Sequence, residues 1–141
     1  MIPKIIHYCW FGNNPKPEIV TQCIASWKQF CPDYKIIEWN EKSFNLTKNA
    51  FYKNALRKKK YAFVSDYVRA IVLDKFGGIY LDTDMLIIKP IDALLKHKFF
   101  TGFEVETRPA YGFFGAVENH RFLKEMIDFY NQNEDHKHKN L

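Results

Sequence analysis

Hydrophobic positions in the first forty residues follow two different periods. The short apolar run Ile5–Phe11 begins with β-branched residues and ends at the turn-rich segment 12–15, which predicts a buried strand. A helix is predicted to follow from residue 17, because apolar residues recur there at helical spacing. These residues are Ile19, Cys23, Ile24, Trp27 and Phe30. A second strand is predicted over Tyr34–Trp39, and the order strand, helix, strand indicates an α/β fold with a largely parallel sheet.

The middle of the chain predicts two helices and a very short strand. One helix is expected over Phe51–Lys60 and a strongly apolar one over Tyr61–Phe76, which the pair Gly77-Gly78 ends. The run Ile79–Leu81 is then predicted as a strand. After a polar interruption, Met85–Ile88 continues as an extended apolar segment.

The last third of the chain predicts one more pair of strands and a closing helix. A helical turn is expected over Ile91–Leu95. The strands are Phe99–Val105 and Ala110–Val117, which the polar segment 106–109 joins. The final helix is predicted over His120–Tyr130, because its apolar residues recur at helical spacing.

A single domain over residues 1–130 accounts for this pattern, and residues 131–141 form a polar, Lys/His-rich tail. The chain is 47% hydrophobic and 17% aromatic, which supports a packed core and excludes a disordered protein. The net charge of +5 favours an anionic ligand or surface. Much of that charge lies in Arg57–Lys60 and the tail, and a solvated helix end and a solvated tail are the favoured explanation of these two runs. Because no recognition motif accompanies the basic run, we expect no nucleic-acid binding.

The cysteines and the start of the chain predict a cytoplasmic location. Cys9, Cys23 and Cys31 are odd in number and contain no CxxC pair, so neither a disulfide framework nor a zinc site is expected. Free thiols suit a reducing compartment. Residues 1–4 lead directly into a strand-like run and do not resemble a signal peptide.

The strongest chemical signal is the triplet Asp82-Thr83-Asp84. Two carboxylates one residue apart at a strand end can point into one cleft, and hard oxygen ligands suit Mg²⁺ or Mn²⁺ together with phosphate oxygens. The alternative is an acidic pair in a solvated turn. The apolar runs on both sides of the triplet favour the metal site, because buried adjacent carboxylates are costly without a cation.

A second signal lies on the helix before the triplet. Asp66 and Arg69 are three residues apart and therefore share one helix face. They could form a local surface ion pair, or they could bind sugar hydroxyls and a phosphate oxygen. Their position just before the acidic triplet favours ligand binding.

A third signal is the aromatic end of the first strand. Trp10 would lie where ligands bind in open α/β sheets, at the carboxyl ends of the strands, and could stack on a nucleobase. Taken alone, Trp10 is better explained as a core residue. For His7 we expect an internal hydrogen-bonding role rather than ligand binding.

These segments together resemble a known family. The matching residues are Ile2–His7, Trp10–Gly12, Ser65, Asp66, Arg69, Leu73 and Gly77–Asp84. They resemble the DXD-containing sugar transferases of glycosyltransferase family 32, which include capsular polysaccharide synthesis enzymes and initiating mannosyltransferases. They are also similar to the catalytic domains of the clostridial glucosylating toxins. The resemblance spans roughly residues 2–130.

The resemblance implies a fold and a reaction. The implied fold is GT-A, a Rossmann-like α/β/α sandwich with a mostly parallel mixed sheet. The implied donor is a UDP- or GDP-sugar, transferred with retention of configuration in the presence of Mn²⁺ or Mg²⁺. In such retaining enzymes the leaving diphosphate assists attack by the acceptor hydroxyl, so no protein nucleophile is expected.

The resemblance also implies roles for individual residues. Asp82 and Asp84 would be the metal ligands and the catalytic residues, and Trp10 would stack on the base. The donor-binding positions would be Trp10, Asp66, Arg69, Gly78, Tyr80 and Asp82. Family members usually continue into a C-terminal segment with a further metal ligand, and residues 131–141 are expected to begin it. No motif identifies His136 or His138 as that ligand.

The predicted function is sugar transfer to a glycan or lipid-linked glycan hydroxyl in bacterial surface polysaccharide synthesis, of capsule or lipopolysaccharide. Such a role implies the inner face of the membrane and peripheral association with it. One alternative is a fragment that binds the donor but is catalytically incomplete. The other is a metal-dependent phosphohydrolase, which would need further ligands such as Glu104 and Glu106 beside the acidic pair.

Overall fold

The computed structural model describes residues 1–47, 49–105 and 108–132, with only the backbone of residues 103–105 and 108–110. The predicted tail lies outside the described residues except for its first two positions. So do Glu106, His136 and His138, and the side chain of Glu104 is likewise not described. The last helix continues to Gln132, which is two residues beyond the predicted end of the domain.

Nine helices and strands and one 3₁₀ helix form in the order that the sequence predicts. They are β1 (Ile5–Cys9), α1 (Glu18–Phe30), β2 (Lys35–Trp39), α2 (Ala50–Arg57), α3 (Tyr61–Phe76), β3 (Gly78–Leu81), the 3₁₀ helix (Asp92–Lys96), β4 (Phe99–Val105), β5 (Arg108–Ala116) and α4 (Arg121–Gln132). These are the elements found in the described parts of the chain. The predicted elements are confirmed, with ends that differ by at most three residues.

The first strand and the second helix end earlier than predicted. The first strand ends at Cys9, two residues before its predicted end at Phe11. The helix predicted to reach Lys60 ends at Arg57, because Lys59 takes a left-handed backbone conformation with φ 58°. The basic residues from Arg57 to Lys60 are all exposed, as expected of a solvated helix end.

Two further expectations were wrong. The helical spacing predicts that Ile19 lies on the buried face of the first helix, but its side chain is 60% exposed, while Cys23 and Trp27 are buried. The predicted polar connection over residues 106–109 is partly strand, because β5 already begins at Arg108.

The five strands found in the described residues form one mixed sheet in the order β2-β1-β3-β5-β4. β1 is parallel to both β2 and β3, whereas β5 is antiparallel to both β3 and β4. Four of these strands therefore run in the same direction and β5 runs against them. The prediction of a mostly parallel mixed sheet is confirmed.

Side chains on β3 alternate between the two faces of the sheet and build two cores. Tyr80 joins the core under α2, α3 and α4. Ile79 and Leu81 point to the opposite face and join the core that contains Trp27 of α1. The result is the three-layer α/β/α arrangement. No helix among the described residues is long and apolar enough to cross a membrane.

His7 is an internal hydrogen-bonding residue, as predicted. Its side chain is fully buried, and its Nδ1 accepts from the indole N–H of Trp39 at 3.0 Å. Nε2 therefore carries the proton and donates to the Gly77 carbonyl at 2.9 Å. Burial lowers the pKa of His7 to about 4, although the bond to Gly77 opposes that shift. The imidazole is neutral at pH 7 and links β1, β2 and the turn before β3.

The neutral His7 makes stability depend on pH. The unfolded chain takes up the proton near the ordinary pKa of about 6.5, while the folded chain resists it until about 4. The contribution of His7 to the free energy of unfolding is therefore fully present above about pH 6.5 and is lost as the pH falls toward 4. Near pH 5 the free energy of unfolding is lower by about 2 kcal/mol. Urea unfolding at pH 7.5 and at pH 5 should show this loss, and His7→Gln should show a smaller one. An equal pH dependence in the variant would contradict this role of His7.

Candidate functional site

The carboxyl ends of β1 and β3 meet at one edge of the sheet and form a cavity there. The strands pair in parallel, with His7 opposite Tyr80, so the residues that follow them, Trp10 and Asp82, lie side by side. The cavity has a volume of about 330 Å³. Its lining residues are Cys9, Trp10, Phe11, Tyr61, Ala62, Ser65, Tyr80, Asp82, Thr83 and Asp84. The structure thus brings Trp10, Tyr80, Asp82 and Asp84 together.

Asp82 is held in one orientation from three sides. Its Oδ1 accepts from the Tyr80 hydroxyl at 3.0 Å and from Arg69 Nη2 at 3.3 Å. Its backbone N–H donates to the Gly112 carbonyl of β5 at 2.8 Å. Oδ2 lies against Gly112 so closely that a Cβ on this glycine would be 2.6 Å from it. A side chain at position 112 would therefore displace the carboxylate.

Asp84 differs from its neighbour because it faces solvent. It lies in the turn after β3, where the Met85 N–H donates to the Asp82 carbonyl at 3.1 Å. Within the described residues, no hydrogen bond or ion pair holds the Asp84 carboxylate. The triplet therefore presents one oriented carboxylate and one open carboxylate to the same cavity.

This pair fits a Mg²⁺ or Mn²⁺ ion that is bound together with a diphosphate. Such ions take one or two protein carboxylates and complete their coordination with water and substrate phosphates. The described residues hold no group of three or more His, Cys, Asp or Glu side chains that could bind a metal ion without such help. The lack of a side chain at Gly112 leaves room for Oδ2 of Asp82, while Tyr80 and Arg69 hold Oδ1.

Arg69 connects α3 with the strands beneath it, and its side chain is only 12% exposed. Nε and Nη2 donate to the Ser65 carbonyl and hydroxyl at 3.1 and 3.2 Å, and Nη1 donates to the Tyr111 carbonyl at 2.8 Å. The guanidinium carbon lies 4.5 Å from the centre of the Tyr80 ring. Nη2 also lies 3.4 Å from Asp66 Oδ1. Protein atoms occupy most of its donors, so Arg69 fixes the two carboxylates in place.

The charge states of this network follow from its burial. Burial alone would lower the pKa of Arg69, but Tyr80, Asp82 and Asp66 together raise it, so the guanidinium stays charged. Burial raises the pKa of Tyr80 well above its usual value, and its neutral phenol donates to Asp82. Burial also raises the pKa of Cys9 to about 12, against the opposing effect of Arg69. The Cys9 thiol beside the cavity is therefore protonated and unsuited to nucleophilic attack.

Trp10 and Gly78 take different places relative to the cavity. The indole N–H of Trp10 donates to the Asn14 carbonyl at 2.8 Å, and Lys16 Nζ lies 5.8 Å from the ring centre. Trp10 thus stands as a half-buried wall of the cavity. Gly78 begins β3 at the opposite end from Asp82, and the structure does not bring it to the cavity. Its backbone has φ 119°, and a Cβ there would lie 2.7 Å from the Ile5 carbonyl oxygen.

A second cavity lies on the other side of Asp66 and Arg69, against α4. We call it the α4 cleft, and its volume is about 490 Å³. Its walls include Asp66 and Arg69 from α3, Tyr111 from β5, and Phe122, Glu125 and Met126 from α4. Asp66 therefore faces this cleft rather than the cavity of the acidic triplet. The sequence pattern predicted the helix α4 but not its contribution to a cavity.

A known protein family matches the part of the chain that contains the acidic triplet. The model of the family described as "Glycosyltransferase sugar-binding region containing DXD motif" matches residues 17–101. The match includes Asp66, Arg69 and the acidic triplet, and it covers more than half of the chain. Trp10 lies before it.

The chain is similar to part of several longer proteins that are named as glycosyltransferases. Inositol phosphoceramide mannosyltransferase 3 of Schizosaccharomyces pombe is 29% identical over 130 residues, which cover 89% of this chain and 36% of that protein. An uncharacterized glycosyltransferase of Acanthamoeba polyphaga mimivirus is 32% identical over 130 residues, which cover 85% of this chain and 52% of that protein. The chain spans about a third of the length of the fungal relatives that it matches.

Among solved structures, the PaToxG glycosyltransferase is similar in fold. It matches with a TM-score of 0.77 at 19% identity, and the match covers 96% of this chain and 61% of that one. Together with the three layers and the mixed sheet, this likeness confirms the predicted GT-A fold.

Proposed function

Because the chain belongs to the family of glycosyltransferases whose sugar-binding region contains a DXD motif, we propose that it binds a nucleotide-sugar donor and transfers the sugar to a hydroxyl acceptor. The observation that carries this proposal is the acidic pair at the edge of the sheet. Asp82 is fixed by Tyr80 and Arg69, and Asp84 is open to the same cavity. This arrangement suits a cation shared between protein and diphosphate.

Asp82 and Asp84 would hold Mg²⁺ or Mn²⁺, which would neutralise part of the charge on the leaving diphosphate. Trp10 offers its ring as a wall against which the base stacks. Arg69 and Tyr80 keep the Asp82 carboxylate oriented, since both donate to Oδ1.

We propose transfer with retention of configuration, as the family resemblance implies. No protein nucleophile is needed for this route, because the leaving diphosphate accepts the proton of the attacking hydroxyl. The high pKa of Cys9, about 12 and due to burial, agrees with that view, since this thiol beside the cavity stays protonated.

For the acceptor, we propose a glycan or lipid-linked glycan hydroxyl, with a role in bacterial capsule or lipopolysaccharide assembly. The cytoplasmic side of the membrane, with peripheral association, is the proposed place of this reaction. The relatives in Schizosaccharomyces pombe are named for mannosyl transfer to inositol phosphoceramide, and their names support a lipid-linked acceptor and a hexose donor.

Two rival functions make different demands on the site. A phosphohydrolase with two metal ions needs several shared ligands, and no group of three such side chains is found in the described parts of the chain. A chain that binds the donor without transferring its sugar would keep the acidic pair intact. Metal-dependent donor affinity without turnover would identify that rival.

The proposal is tested by a thermal-shift screen of UDP, GDP and their sugar derivatives, with and without Mn²⁺. A ligand that binds the folded chain raises its melting temperature by mass action. At a free ligand concentration of about 100 times its Kd, the folded state is stabilised by about 2.7 kcal/mol. We expect one nucleotide sugar to raise the melting temperature with Mn²⁺ and to lose its effect in EDTA. The same screen on Asp84→Asn provides the control. If no nucleotide sugar produces a metal-dependent shift, donor binding by this chain is refuted.

A further inference from the structure

Charge is distributed unevenly along the chain. Residues 42–65 contain seven Lys or Arg side chains and no Asp or Glu. Because these seven charges exceed the net charge of +5, the rest of the chain carries a net charge of −2. In the structure this stretch forms the connection after β2, the helix α2 and the start of α3. The positive charge of the molecule is therefore concentrated in one part of the fold.

Five of the seven basic side chains lie on α2 and on the turn that joins it to α3, and all five are exposed. We call them the basic surface: Lys53, Arg57, Lys58, Lys59 and Lys60. Among the described residues, no ion pair uses any of them. The acidic residues that border the stretch have other contacts. Glu41 accepts from the Gly12 N–H at 2.9 Å, and Asp66 Oδ1 lies 3.4 Å from Arg69.

The turn between α2 and α3 presents its lysines on an ordered backbone. Lys59 has φ 58°, and the N–H groups of Lys58, Lys59 and Lys60 donate to carbonyls of α2 at 3.0, 3.1 and 2.9 Å. A partner that binds these side chains would not have to order the backbone, a step that would weaken binding.

The basic surface lies at the same edge of the sheet as the cavity of the acidic triplet. Lys60 directly precedes Tyr61 and Ala62, which line that cavity. Tyr61 packs on the segment after β1, since a Cβ on Gly12 would lie 2.8 Å from its ring. Phe63 follows Lys60 by three residues on the first turn of α3, and its side chain is 38% exposed. Basic side chains and an exposed aromatic ring thus lie beside the mouth of the cavity.

An anionic lipid bilayer fits this combination. Its headgroups attract clusters of Lys and Arg, of which about four to eight are typical of such contacts, and its interface accepts aromatic rings. The donor diphosphate is a poorer partner for these charges, because no side chain of the basic surface lines the cavity of the acidic triplet.

We propose that the basic surface docks the protein on an anionic bilayer, so that the cavity of the acidic triplet opens at the level of the headgroups. The inference rests on the proposed function for its choice of partner, because a lipid-linked acceptor is presented at such a surface. It adds the residues that contact the membrane and the lipid charge that they require.

Flotation with lipid vesicles tests the docking. Vesicles of phosphatidylcholine with about 30% phosphatidylglycerol are compared with vesicles of phosphatidylcholine alone, in EDTA and about 0.1 M NaCl. EDTA prevents a divalent cation from bridging the acidic triplet to lipid phosphates. We expect binding to the anionic vesicles alone and its loss at about 1 M NaCl, where the Debye length falls from about 10 Å to about 3 Å.

A triple variant of the turn identifies the contact. Lys58→Gln/Lys59→Gln/Lys60→Gln should lower the affinity for anionic vesicles by on the order of 100-fold, because each lysine near such a surface contributes about fivefold. The three side chains are exposed and form no ion pair among the described residues, so the melting temperature should stay close to that of the parent.

Lys35→Gln/Lys96→Gln/Lys98→Gln is the matched control, because it removes three exposed lysines from the opposite edge of the sheet. Lys35 pairs with the first residue of β1, and the Leu95 carbonyl beside Lys96 accepts from the Ile2 N–H. The length of a strand separates the two edges and exceeds the Debye length of about 10 Å. The control should therefore keep the vesicle affinity of the parent within about threefold.

The outcomes separate this inference from the proposed function. If the parent binds neither vesicle, or binds both equally, the docking surface is refuted, whereas donor binding is decided by the thermal-shift screen alone. If both triple variants lose affinity equally, net charge drives binding and the inference fails. It also fails if the parent binds a DNA duplex more tightly than the anionic vesicles and only the variant of the turn loses that affinity. If the vesicles bind as expected but no nucleotide sugar raises the melting temperature, the docking surface stands and the proposed function fails.

Discussion

Asp84→Asn is expected to lower the affinity for Mn²⁺ and the turnover of the nucleotide sugar by on the order of 10²-fold or more, with no loss of stability. The reason is that no hydrogen bond or ion pair in the described residues uses the Asp84 carboxylate. The amide fills the same space but gives the cation one weaker ligand without charge. Mn²⁺ binding, measured by electron paramagnetic resonance, and donor turnover check this result.

Asp82→Asn should lower metal binding to a similar degree but should also reduce stability. Its Oδ1 accepts from Tyr80 and Arg69, and neutralising it weakens an ion pair whose carboxylate is 40% exposed, at a cost of about 1 kcal/mol. Asp33→Asn is the matched control, because Asp33 pairs with Lys4 on the surface, away from the cavity. Unchanged Mn²⁺ affinity in both triplet variants would refute the metal site.

The acidic triplet and the pair on α3 were predictable because each is a short local pattern. Asp82 and Asp84 directly follow a strand, so their spacing predicts that both lie at its carboxyl end. Asp66 and Arg69 are about one helical turn apart, so their spacing predicts that both lie on one face of the helix. The structure brings Arg69 to Asp82. It places Asp66 at the α4 cleft instead, because the rotation of a helix over a sheet is set by packing and not by spacing.

The contribution of β5 to the site could not be predicted from spacing. Asp82 N–H bonds to the Gly112 carbonyl, and Arg69 bonds to the Tyr111 carbonyl, because β5 pairs with β3 in one particular register. Register depends on turn geometry and on the whole sheet. One signal was present, since a glycine inside a strand often marks the close approach of another group. Here that group is the Asp82 carboxylate.

The segment Met85–Ile88 shows why an extended apolar run need not be a strand. It lies outside every described strand, and side chains of α1 satisfy part of its backbone: Ser26 accepts from the Ile87 N–H, and the Trp27 indole donates to the Met85 carbonyl. Its apolar side chains differ in burial, because Ile87 is buried and Ile88 is 73% exposed. The apolar pattern predicted an extended segment, whereas tertiary contacts decided which of its side chains are buried and where its backbone hydrogen bonds go.

Gly78→Ala is expected to lower the free energy of unfolding by about 4 kcal/mol. A φ of 119° is a conformation that only glycine adopts readily, which costs another residue about 1–3 kcal/mol. The added Cβ would also lie 2.7 Å from the Ile5 carbonyl oxygen and 3.0 Å from His7 Nε2, and overpacking of this kind adds about 1–3 kcal/mol. For a chain of this length the melting temperature should fall by about 10 °C or more.

The sequence resemblance placed Gly78 among the donor-binding residues, and this substitution separates that role from packing between β1 and β3. Gly102→Ala is the matched control, because a Cβ at Gly102 meets nothing within 4 Å and its φ is not positive, so its stability should stay within about 1 kcal/mol of the parent. Thermal unfolding checks both variants, and Mn²⁺-dependent donor affinity is then measured below the lowered melting temperature. We expect Gly78→Ala to keep that affinity. A variant that melts like the parent but no longer binds the donor would place Gly78 in the donor site.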